Sequence, residues 1–210
     1  MILPGEHIII FGMTGSGKST LTRQMGGIYE RKIIFDRLQE WETENEYTTA
    51  DSFESFKEIY HKAHNENSFT IYFKPRAGMD QDELIEVTNQ ILALVYQVEA
   101  YEKKGITLIF EEVWLYAPIH SIPPWFQETM LTGRHNRISV IGNSQRPANV
   151  SKTLVSQARH IFIGQYYEFR DKKYFEDTFG RIPELDNPPE KFTFYWFRPG
   201  EKPILISTSL

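Results

Sequence analysis

Short, unbroken apolar runs recur along the chain, separated by stretches whose apolar positions fall at helical spacing. His7–Phe11 (HIIIF), Lys32–Phe35 (KIIF), Phe69–Phe73 (FTIYF), Thr107–Phe110 (TLIF), Ser139–Gly142 (SVIG) and His160–Ile163 (HIFI) are continuous rather than alternating. Such runs suit strands buried on both faces of a parallel sheet. Between them, Ser19–Met25 reads as a helix ended by Gly26-Gly27, and Phe53–His64 as a short amphipathic one. A long helix opens at Asp80, with Leu84, Val87, Ile91, Leu94, Val95 and Val98 on its apolar face, and closes near Lys103-Lys104-Gly105. Pro123-Pro124 opens a further helix reaching about Gly133. Thr193–Phe197 and Ile204–Ser207 suit an edge hairpin turning at Arg198-Pro199-Gly200. Strands alternating with helices predict an α/β fold with a mostly parallel sheet. Asn187-Pro188-Pro189 reads as a turn, since too little chain follows it for a second domain, so residues 1–210 are expected to form one domain.

Composition narrows the function classes. The 210 residues are 40% hydrophobic, as in an ordinary globular domain. A net charge of -5 gives no support for a surface that is basic all over. Local basic stretches at Lys74-Pro75-Arg76-Ala77-Gly78, Lys103-Lys104 and Lys172-Lys173 read as solvated turns or, failing that, as salt-sensitive contacts to a nucleic-acid backbone. With no cysteine, disulfides and thiolate metal sites are excluded. The N-terminus lacks the basic and apolar regions of a signal peptide, and no run is long and apolar enough to cross a bilayer. The expected location is cytoplasmic, including the cytoplasm of a host cell. Trp41, Trp114 and Trp125 read as core or interface residues rather than base-stacking platforms.

The sharpest chemistry lies between the first strand and the first helix. Gly12-Met13-Thr14-Gly15-Ser16-Gly17-Lys18-Ser19 fits G-x-x-x-x-G-K-[ST] without a gap, with Thr20 following. Glycines let backbone N–H groups turn inward around a β-phosphate, the lysine reaches the β- and γ-phosphates, and the serine hydroxyl ligates Mg²⁺. The dipole of the helix beginning near Gly17 adds to the attraction for an anion. A nucleotide triphosphate with Mg²⁺ is therefore the expected ligand.

Two carboxylates, Glu111 and Glu112, end the Thr107–Phe110 strand, at the edge where open α/β sheets bind ligands. The first, Glu111, can hold the Mg²⁺ shell, while the second, Glu112, can polarise the water that attacks the γ-phosphate. Ser139–Gly142 runs into Asn143-Ser144-Gln145-Arg146-Pro147, whose polar side chains belong at the same edge, so Gln145, Asn143 or Ser144 can sense the γ-phosphate. Arg134 and Arg137 precede that strand and could complete a neighbouring subunit's site in trans.

In the order GMTGSGKS, LIFEE, GRH and SQRP, over roughly residues 7–165, the chain resembles the FtsK–HerA class of P-loop ATPases. The resemblance implies a three-layer RecA-like core of the ASCE type. It implies ATP and Mg²⁺ bound by Lys18 and Ser19, Glu112 as catalytic glutamate, Gln145 as sensor and Arg134 as the trans finger. It implies a homo-oligomeric ring, a pentamer or hexamer, acting on double-stranded DNA. One departure stands out: the class usually carries Asp where this chain has Glu111. A core of this size resembles the genome-packaging ATPases of tailless icosahedral viruses, which implies a capsid vertex as partner and a location in the host cytoplasm or virion. Other readings of the same residues are a plasmid or conjugation translocase, a filamentous-phage assembly ATPase, a metabolite kinase, and a nucleotide-dependent scaffold without turnover. Glu111-Glu112 weighs against the kinase, and the intact Glu112 and Gln145 against the scaffold.

Overall fold

A computed structural model describes residues 2–41, 47–166 and 169–208. Among them a nine-stranded sheet runs in the order β3-β4-β2-β5-β6-β1-β7-β8-β9. The strands are β1 (Ile8–Phe11), β2 (Arg31–Phe35), β3 (Thr48–Ala50), β4 (Phe69–Phe73), β5 (Ile106–Phe110), β6 (Ile138–Ser144), β7 (His160–Ile163), β8 (Thr193–Phe197) and β9 (Ile204–Ser207). Those from β3 to β7 in this order pair in parallel, and β8 and β9 add an antiparallel edge hairpin, as the sequence predicts.

The helices are α1 (Lys18–Gly26), α2 (Phe53–Ala63), α3 (Gln81–Glu102), α4 (Pro124–Thr132), α5 (Lys152–Gln157) and α6 (Phe169–Phe179). Asp80 caps α3 in a capping box with Glu83, which is why the helix starts where the first-turn acids signal it. Alternate residues of each strand serve different layers. Ile9, Phe11, Ile33, Phe35 and Phe110 join α2 to α6 in one apolar cluster. Ile8, Ile10, Ile34, Ile109 and Ile141 pack with Leu21 of α1 and with Trp41 in the other. The sheet is thus sandwiched between α1 and the remaining helices, the three-layer α/β arrangement expected.

β3, α5 and α6 carry no clear signal in the sequence. β3 has three residues, two of them exposed; α5 has six; α6 buries Phe175 alone. Each is too short or too polar to show a period.

Strand order decides what meets what. β6 lies between β1 and β5, and β2 lies on the far side of β5. The C-terminal ends of these four strands therefore place the glycine-rich loop, the SQRP segment, Glu111-Glu112 and the loop after β2 along one edge.

Candidate nucleotide site

The loop between β1 and α1 is shaped by its own backbone. Gly15 and Gly17 have φ of 77° and 98°, in the region that glycine alone enters freely. At Gly17 a Cβ would also come within 2.6 Å of the Phe192 ring, so any side chain is excluded twice. Anchors from neighbouring segments fix the loop: the Met13 N–H donates to the Gln165 carbonyl at 2.8 Å, and the Phe192 N–H to the Ser16 carbonyl at 2.9 Å. No side chain caps α1, which leaves the N–H groups of its first turn free of a protein cap. The Ser16 hydroxyl is buried with no partner. An orphaned hydroxyl costs about 1–3 kcal/mol when desolvated, a cost that a bound phosphate would offset.

Four of the residues singled out in the sequence converge here. Lys18, 6% exposed, points its Nζ at Glu112 Oε1, 3.7 Å away. Gln145 bridges the loop and the acid: its side-chain Oε1 accepts from the Thr14 hydroxyl at 2.8 Å, and its backbone N–H donates to Glu112 Oε2 at 3.2 Å. The Trp114 indole N–H donates to the same carboxylate oxygen at 2.9 Å. Glu112 itself has φ of 53°. A non-glycine residue held there costs on the order of 1–3 kcal/mol and persists where surrounding bonds over-determine it. Those bonds aim the carboxylate at the loop.

Glu111 points elsewhere. It is 1% exposed and its two oxygens are taken, Oε1 by the Trp41 indole N–H at 2.6 Å and Oε2 by the Asn143 amide at 2.5 Å. Burial pushes its carboxyl up to about 7, against the hydrogen bonds from Asn143 and Trp41. The carboxylate on the Ser19 hydroxyl is Glu40, with Ser19 Oγ donating to Glu40 Oε2 at 2.5 Å. Asn143, wholly buried, is the joint of the site: its amide also reaches Thr22 of α1 at 3.0 Å, and its carbonyl accepts from the Glu112 N–H at 3.0 Å.

Sequence reasoning missed Glu40; Trp41 and Trp114 pack in or against the core as expected, and their indole N–H groups also brace Glu111 and Glu112, which the sequence did not signal. The available signal was position: FDRLQEW follows a buried strand adjacent to the one carrying Glu111. Trp125 does pack as expected, its ring 5.5 Å from that of Tyr96.

Arg134 and Arg137 lie before β6, at the opposite edge of the sheet from the glycine-rich loop. Both are exposed. The Arg134 backbone packs under Gly5, and Arg134 lines a cavity with His7 and Arg159. Arg134 therefore does not reach the loop of its own chain. Arg76, in the basic segment after β4, is exposed and pairs with Glu83 at 3.5 Å.

The buried Glu111 carboxyl makes a pH prediction. Its proton is held more tightly in the folded state, about 7 against an ordinary value near 4.5. Its contribution to stability is therefore full below the lower value and is lost as pH rises through the upper one. At about 1.4 kcal/mol per unit, the loss is on the order of 3 kcal/mol. Between about pH 5 and about pH 8, without metal, the melting temperature of Glu111→Gln is expected to fall less than that of the wild type, read by thermal unfolding.

The glycine-rich loop, the uncapped α1 turn, the orphaned Ser16 hydroxyl and Lys18 fit a nucleoside triphosphate. Among the described residues no group of three or more acidic or histidine side chains is close enough to hold a metal ion by itself. Mg²⁺ is commonly bound through one or two protein oxygens and substrate phosphates, and Ser19 Oγ, in the first turn of α1, would be the protein oxygen offered to it.

Fold and site define a P-loop NTPase architecture of the RecA-like kind. No family model matches the chain, and no curated protein sequence does. Among solved structures it is similar to the genome packaging NTPase B204 from Sulfolobus turreted icosahedral virus 2 in complex with ATP-gammaS. The identity is 16%, the TM-score 0.73, and the match covers 100% of both chains. It is also similar to VirB4 of Thermoanaerobacter pseudethanolicus, at 10% identity and a TM-score of 0.65, over 97% of this chain and 89% of that one. The pCW3 conjugation coupling protein TcpA matches at 15% identity and a TM-score of 0.59, over 97% of this chain and 60% of that one. At these identities the likeness is one of fold.

Proposed function

We propose that this chain is an ATP-hydrolysing motor that translocates double-stranded DNA, and that its task is packaging a viral genome into a preformed capsid. The observation that carries the reading is the convergence of Lys18, Glu112 and Gln145 on the mouth of the glycine-rich loop. The end-to-end fold likeness to a packaging NTPase supports the specific task. The likeness to the conjugation coupling protein TcpA keeps conjugative DNA transfer as the second reading.

In this reading Gly12 to Thr20 hold the triphosphate of ATP, with Lys18 on its outer phosphates. Ser19 would hold Mg²⁺, which would supply positive charge to offset that of the phosphates during hydrolysis. Glu112 accepts the proton of the attacking water, and its many bonds orient it for that. Gln145 touches both the loop and Glu112, so a change at the outer phosphate reaches the end of β6 through it. Glu111 braces Trp41 and Asn143 rather than facing the loop. No helix among the described residues is long and apolar enough to cross a membrane. A ring of five or six copies on DNA, docked at a capsid vertex, is the assembly proposed.

Arg134 gives this assembly a role for an exposed cation that is far from its own site. In a ring it completes the neighbour's. Arg134→Ala is then expected to keep ATP affinity and lose turnover, while Lys18→Ala loses nucleotide binding. Mixed, the two inactive proteins form some junctions with an intact loop facing an intact arginine. Recovery of part of the ATPase rate on mixing tests the reading; no recovery at any ratio contradicts shared sites.

A further inference from the structure

The loop after β2 is not a free surface loop. Asp36 is fully buried and accepts from the Leu38 N–H at 3.1 Å, the Trp41 N–H at 2.9 Å and the Tyr72 hydroxyl at 2.9 Å. The Arg23 guanidinium of α1 donates to the Glu40 carbonyl and lies 5.5 Å from the centre of the Trp41 ring. The Trp41 indole is tied to Glu111 at the end of β5. Residues from α1, β4 and the end of β5 thus set the backbone on both sides of Glu40, and the carboxylate they place is the one that accepts the hydrogen bond of the Ser19 hydroxyl.

A hydroxyl that ligates a cation must turn a lone pair to the metal and send its proton elsewhere. An acceptor that bonds the hydrogen of a ligating group orients that group and strengthens it as a donor to the metal. Glu40 already occupies the acceptor position, and its negative charge favours a cation beside it. We propose that Glu40 is a positioning residue for Mg²⁺, acting through Ser19: it accepts the hydrogen bond of the Ser19 hydroxyl and holds the serine oxygen toward the cation. This rests on the reading of Lys18 and Ser19 as the ATP–Mg²⁺ site.

The test is equilibrium binding of a fluorescent, non-hydrolysable ATP analogue to the full chain, titrated with Mg²⁺ and repeated in excess chelator. Wild type, Ser19→Ala, Glu40→Ala and Glu40→Asp are compared. Glu40→Ala, which removes the acceptor, is expected to raise the half-saturating Mg²⁺ concentration by about tenfold or more, with unchanged affinity in chelator, and Glu40→Asp to recover part of the shift. Equal Mg²⁺ dependence in Glu40→Ala and wild type overturns the proposal. So does a loss of affinity that is the same with and without Mg²⁺, because Glu40 would then only brace the loop. If wild-type binding is itself indifferent to Mg²⁺ and to Ser19→Ala, the ATP–Mg²⁺ reading is the part that fails.

Discussion

Glu112→Gln is expected to bind ATP about as tightly as the wild type and to hydrolyse it roughly 10²–10⁴ times more slowly, the share of the rate that a positioned general base supplies. The substitution keeps the shape of the side chain and an oxygen for the Trp114 indole and the Gln145 N–H, so the left-handed backbone at residue 112 stays supported. What disappears is the ability to take a proton. The ion pair with Lys18 is lost too, and it favours the nucleotide-free state, so its loss does not weaken nucleotide binding. Equilibrium binding of ATP together with single-turnover hydrolysis separates the two effects. Normal hydrolysis would remove Glu112 from the role of base and return attention to Glu111 and Glu40.

The same substitution distinguishes Glu112 from Glu111, which the sequence alone could not do. Adjacent residues leaving a strand point in different directions. Which of the two faces the nucleotide depends on the turn that follows β5. That turn puts Glu112 in a left-handed conformation toward the loop and leaves Glu111 under Trp41 and Asn143. Nothing in LIFEE encodes this, because the partners come from β2 and β6.

The central strands were legible because they are buried on both faces, which turns them into unbroken apolar runs. The loop chemistry was legible because it is contiguous in sequence. β3, α5 and α6 were not, since a three-residue strand, a six-residue helix and a helix with one buried residue have no period to read. Glu40 was hidden for another reason. Its importance comes from strand order: β2 lies beside β5, and this brings the residue after LQ onto the Ser19 hydroxyl. Arg134 was read as a cation for a neighbouring subunit, and its place on the opposite edge of the sheet keeps it away from the loop of its own chain.

The second large effect expected is stimulation by DNA, and it tests the central claim most directly. A motor gains nothing from ATP turnover without its track, so hydrolysis should depend on a duplex long enough to thread a ring. Contacts to the phosphate backbone weaken steeply with salt through counterion release, whatever the base sequence. The measurement is the steady-state ATPase rate with and without long double-stranded DNA, at low and moderate salt, with Glu112→Gln as the inactive control. The account predicts a rate raised by about tenfold or more by DNA of unrelated sequences, with the stimulation fading as salt rises. A rate indifferent to DNA at every salt concentration, and triggered instead by a small phosphate acceptor, would contradict it.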